Sequence, residues 1–142
     1  MSVTELDNLV KIGRLKAEPG AQEEFDGLVA SGKNRLVDAR NKKLAYESRF
    51  DLAYNAAHSL SLAALRWHGY RAENRYIVFQ ALVHTVELDR TTVRILSKCH
   101  DTRNLAEYEG YQTIDERLLT DLLDAATQIE TKLVNLGRVP ST

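Results

Sequence analysis

One cysteine and two prolines are all that this sequence of 142 residues contains of either type. The lone Cys99 excludes an intramolecular disulfide and a cysteine-built zinc cage, and it suits a reducing compartment. With prolines only at 19 and 140, the chain between them is free of proline breaks. Strand-like alternation is absent, so β-structure is not expected. No apolar run approaches ~20 residues, and the start Met1-Ser2-Val3-Thr4 lacks a basic region followed by an apolar core. A soluble, cytoplasmic protein with no membrane partner is therefore expected. Neither sign of charge dominates: 19 Lys and Arg against 20 Asp and Glu leave a net charge of −1, without the basic footprint of a duplex-DNA binder. Glycine-rich phosphate loops, nucleophile-elbow serines and paired-histidine helix motifs are missing as well. The familiar hydrolase and metalloenzyme classes drop out, and no metal or cofactor is expected.

What is present is ordinary globular material, 44% hydrophobic and 27% charged, enough for one core and one domain over residues 1–142. Apolar residues recur at helical spacing nearly throughout. A first helix opens at a capping box, Ser2-Val3-Thr4-Glu5, and ends before Pro19-Gly20. A second covers residues 21–43, with Phe25, Leu28, Val29, Leu36 and Val37 inward and Gly32 as a weak point. Residues 44–67 have little polar face and many alanines, which marks the central buried helix, and Gly69 is its stop. Next comes a polar connection, then a helix over 74–87 so apolar that a partner is expected to cover part of it. Asp89 starts a fifth helix, which runs towards Tyr108 and ends at Gly110. The sixth begins at Thr113-Ile114-Asp115-Glu116 and carries the clearest core stripe, Leu118 to Leu133. The tail from Leu136 is expected to fray. The architecture expected is all-α: an up-and-down helical bundle of four core helices plus N-terminal helices.

Polar residues on the two otherwise apolar helices carry the chemistry. Arg49, Tyr54 and His58 lie on the third helix, and His100, Arg103, Asn104 and Tyr108 on the fifth. Tyr54 and His58 are four apart, as are His100, Asn104 and Tyr108, so each set shares a helix face. Two readings stand. These groups hydrogen-bond across a helix interface and fix its register, or they form a basic groove in which an arginine binds phosphate and a histidine activates a ribose hydroxyl. The basic stretches at 33–43 and at Arg71 with Arg75 read as solvated helix faces. Trp67 reads as a core edge.

The run Arg49-Phe50-Asp51-Leu52-Ala53-Tyr54-Asn55-Ala56-Ala57-His58, the Gly69 stop, and Arg103-Asn104-Leu105-Ala106-Glu107-Tyr108 resemble, in that order, the HEPN family (higher eukaryotes and prokaryotes nucleotide-binding). The resemblance is strongest over residues 44–126. It implies a four-helix bundle that homodimerises around a cleft, with either a metal-independent RNase toxin or a non-catalytic module beside a small nucleotidyltransferase. The family's RNases carry an arginine and a later histidine with four to six residues between them. After Arg103 that place holds Tyr108, Glu109 and Gly110. Arg94 and His100 fit the spacing, but Ile95 stands where a polar residue usually follows the arginine. A non-catalytic module in a toxin-antitoxin-like system is therefore the leading expectation, binding nucleotide, RNA or a partner protein through Arg49, Tyr54, His58, Arg103, Asn104 and Tyr108. The alternatives are an RNase using Arg94, His100 or Arg103, and a structural protein-interaction subunit.

Overall fold

The computed structural model describes residues 3–110 and 114–141, and the side chains of Val3 and Glu107 lie outside what it describes. Two residues proposed as helix caps, Ser2 and Thr113, fall outside it too. Four long helices dominate: α2 (Gln22–Ala39), α3 (Tyr46–Trp67), α6 (Arg90–Glu109) and α7 (Glu116–Val134). The shorter elements are α1 (Val3–Lys11), β1 (Leu15–Ala17), β2 (Tyr70–Ala72), α4 (Arg75–Gln80) and α5 (Leu82–Thr85). The all-α bundle is as expected. Its membership differs, because α2 is one of the four long helices and the apolar segment expected as a core helix over 74–87 is the short pair α4 and α5. No helix of the described residues is long and apolar enough to cross a membrane.

α3 is the axis. It packs most extensively on α2 and α7 and also touches α4, α5 and α6. Its alanines 53, 56, 57, 63 and 64 are fully buried with Phe50, Tyr54 and Leu60, since small side chains let helices approach closely. Gly32 on α2 is where the approach is tightest. A Cβ there would sit 2.6 Å from Leu60 Cγ, so the residue expected to weaken α2 is the one that lets it dock. Ser59 Oγ donates to the Leu28 carbonyl at 2.7 Å across the same seam.

α2 stops at Ala39 rather than Lys43 for local reasons. Asn41 Oδ1 accepts from the Lys43 amide at 3.0 Å, and the Leu44 amide donates to the Asn41 carbonyl at 3.1 Å, an Asx-type turn that competes with helix. α6 and α7 are capped by Asp89 and Asp115, which accept from the amides of Thr92 and Leu118. Asp115 thus takes the capping role expected of Thr113.

The ribbon was not expected. β1 and β2 pair antiparallel, Leu15 with Ala72 and Ala17 with Tyr70, and each strand has three residues, too few for alternation to register. Gly69 turns the chain into β2 at φ +87, a left-handed conformation that glycine takes without strain. Leu6, Leu15, Leu65, Tyr70, Ile77, Val78 and Ala81 form a second small core beneath the ribbon. The apolar surplus of 74–87 is therefore covered inside the chain: Ile77, Val78, Phe79, Ala81 and Leu82 are all buried.

Beside the ribbon stands Arg66, 2% exposed. It donates to Glu24 Oε1 and to the carbonyls of Glu18, Pro19 and Tyr70. Arg71 bridges Glu18 and Glu24, so it belongs to this lattice and not to a solvated basic face. The tail, expected to fray, is tied down as well. Trp67 Nε1 donates to the Gly137 carbonyl at 3.2 Å, and the Val139 amide donates to Gln22 Oε1 at 2.8 Å.

Candidate functional site

Helical spacing puts Tyr54 and His58 on the flank of α3 that faces away from α2, and His100, Arg103 and Asn104 on the flank of α6 turned towards it. α4 lies against both helices. Tyr54 Oη and His100 Nδ1 are 2.9 Å apart, and Asn104 Nδ2 lies 3.1 Å from His100 Nε2. Both ring nitrogens are then occupied.

Phe79 of α4 packs edge-on against three rings, with centroids 5.7 Å from Tyr54, 6.2 Å from His58 and 6.3 Å from His100. Two guanidiniums stand over the buried tyrosine: Arg103 Cζ is 4.9 Å and Arg75 Cζ 5.6 Å from the ring centroid, within cation–π range. Nη1 of Arg75 is buried with no hydrogen-bond partner. Burial, helped by the charges of Arg75, Arg103 and His100, pushes the His58 imidazole down to about 4. His58 is therefore uncharged at neutral pH and offers a lone pair beside two cations.

No protein-family model matches this sequence, and no curated protein matches it at a significant level. The chemistry rests on the residues themselves.

Five of the residues picked from the sequence meet in one place: Tyr54, His58, His100, Arg103 and Asn104. Three do not. Arg49 projects from another side of α3, where its Nε donates to the Ala39 carbonyl at 2.7 Å. Arg94 is exposed beside Gln80, Val83 and Arg90. Six residues are about one and two-thirds turns, so Arg94 and His100 point to different sides of α6 and do not form a pair. Tyr108 is 94% exposed.

Arg75 and Phe79 complete the cluster and were not singled out in the sequence. Their signal was a spacing of four, which puts a cation and a ring on one face of α4. It was masked by reading Arg75 with Arg71 and Phe79 with the apolar run. Other chemistries find no support among the described residues. No group of three or more His, Cys, Asp or Glu is placed to hold a metal. Cys99 is fully buried, with its thiol pushed up to about 12 by burial, so it is not a nucleophile. His68 Nε2 lies 2.8 Å from the Thr85 carbonyl, joining the end of α3 to α5.

Proposed function

We propose that the chain is a non-catalytic, HEPN-like module whose cluster on α3, α4 and α6 binds the phosphate of a nucleotide or of RNA. The observation that carries this reading is the buried, unpartnered Nη1 of Arg75 next to Arg103 and the neutral His58. A buried donor without an acceptor costs about 1–3 kcal/mol. A phosphate oxygen would satisfy it, and two guanidiniums would match the charge. His100, engaged at both nitrogens by Tyr54 and Asn104, ties α6 to α3 and holds the cluster together. The wider setting in this reading is a cytoplasmic homodimer in a toxin-antitoxin-like system, alongside a small nucleotidyltransferase. Leu105 and Tyr108, three apart on α6 and 57% and 94% exposed, would lie at the dimer contact.

One observation favours a second reading. His58 has the uncharged imidazole that a general base needs, as a metal-independent RNase would. One experiment separates the two. The protein is incubated without metal with labelled total and defined RNAs, beside its Arg75→Leu, Arg103→Ala, His58→Gln and His100→Ala variants, and both retention and cleavage are scored. Retention of intact RNA that weakens in Arg75→Leu and Arg103→Ala supports the binding module. Cleavage lost in His58→Gln or His100→Ala establishes the RNase instead, and neither retention nor cleavage removes RNA from both readings.

A further inference from the structure

Arg49 is a buried cation outside the cluster, and it lacks a counterion. Its side chain is 9% exposed, and its Nε is taken by the Ala39 carbonyl, one of those left open where α2 ends. Among the described residues no carboxylate lies within ion-pairing distance of it, and its other guanidinium nitrogens have no hydrogen-bond partner. Those nitrogens are not buried from water as Nη1 of Arg75 is, so they face solvent and are open to an anion arriving from it.

The space it faces is a cleft of about 490 Å³ between the turn joining α2 to α3 and the first turns of α7. Arg40, Lys42, Tyr46 and Thr120 line it with Arg49, and Glu116 is the one carboxylate among the lining residues. Arg40 is held in place there by donation from Nη2 to Thr127 Oγ1 at 2.7 Å. α3 begins at this edge with Ala45 as its N-cap, whose side chain accepts nothing from the first-turn amides. The positive end of a helix is thus left open beside three cations.

We propose that this cleft binds the phosphomonoester dianion of a small nucleotide, with Arg40, Lys42 and Arg49 on the phosphate oxygens. Three cations against one carboxylate leave a local charge that matches a dianion. Tyr46, 43% exposed at the rim, gives the base a ring to stack on. The site shares no residue with the Tyr54–His100 cluster and does not depend on the reading of that cluster.

The test is an NMR titration of the full chain, at constant ionic strength, with inorganic phosphate, sulfate and adenosine monophosphate as probes. Saturable shifts are expected at the amides of Tyr46, Glu47, Ser48 and Arg49. Arg40→Ala and Lys42→Ala should each weaken binding about tenfold, as should Arg49→Lys, which keeps the charge and so guards against misfolding, while Arg75→Leu should change nothing here. The nucleotide should bind roughly tenfold more tightly than inorganic phosphate, and Tyr46→Ala should erase that margin. Absence of saturable shifts at these amides, or shifts indifferent to Arg40→Ala and Lys42→Ala, would overturn the site. Sulfate binding as tightly as the nucleotide would reduce it to an unselective anion patch and overturn the nucleotide assignment.

Discussion

Arg66 and Arg75 sit nine residues apart on either side of the ribbon strand β2, and the protein treats them in opposite ways. Arg66 is closed on every side: Glu24, the Glu18, Pro19 and Tyr70 carbonyls, and a second arginine sharing the same carboxylates. Arg75 has an aromatic ring beneath it and a buried nitrogen that meets nothing. A fully satisfied buried cation holds a fold together, whereas a partly satisfied one is held by the fold for something else. By this criterion Arg49, with one bond and no counterion, sides with Arg75.

The contrast breaks most visibly under substitution. Arg66→Ala leaves three carbonyls and two partly exposed carboxylates without their partner, and a loss of about 3 kcal/mol is expected in urea-unfolding midpoints. A loss below about 1 kcal/mol would mean that the lattice is not structural. The acid limb comes next. His58 has a folded value of about 4 against its ordinary 6.5, so between those values the unfolded chain binds the extra proton. Stability should therefore fall as pH drops from 6.5 towards 4, and His58→Gln should flatten that part of the profile. Glu24, held low by its bonds to Arg71 and Arg66, gives stability that is present above its unfolded value and is lost as pH falls through its lowered folded one. The Arg66→Ala variant should lose part of that lower limb.

Tyr54→Phe removes only the hydroxyl that meets His100, and about 1 kcal/mol is expected in the same unfolding series. The smallest stability effect sharpens the comparison best. Arg75→Leu removes an unsatisfied donor and keeps the apolar contact with Tyr54, so its midpoint should lie within about 0.5 kcal/mol of the parent, or higher. Its RNA retention should nevertheless fall. A drop of several kcal/mol in Arg75→Leu would make it a second Arg66 and erase the distinction.

Much of this was legible in the residues, for identifiable reasons. The alanine-rich stretch around Tyr54 read as a buried axis because its few polar residues leave little solvent face. The four-residue spacings of Tyr54 with His58 and of His100 with Asn104 survive into the structure because helix geometry fixes which side chains share a face. What failed to show was set by tertiary contact. Apart from Tyr70, the partners of Arg66 lie on the segment that leads into α2 and on its first turn, and no local spacing announces them. The three-residue strands are too short to leave a period. Arg49 was grouped with Tyr54 by proximity in sequence, yet five residues carry it about 140° around α3 and into a different cleft. Gly32 looked like a flaw because a sequence gives the conformational freedom of glycine but not the leucine waiting opposite.

That glycine also bears on the order of assembly. α2 and α3 are joined by a short turn, and they are locked by Gly32 against Leu60, Ser59 to Leu28 and Arg49 to Ala39. The connecting turn is short and all of these contacts are nearer in sequence than the strands of the ribbon, so the helical hairpin closes without waiting for a long loop. The ribbon must bring its two strands together across the whole of that hairpin. Amides in the middle of α2 and α3 are accordingly expected to be the slowest to exchange with solvent, and those of the ribbon to open first, with α1 departing alongside it.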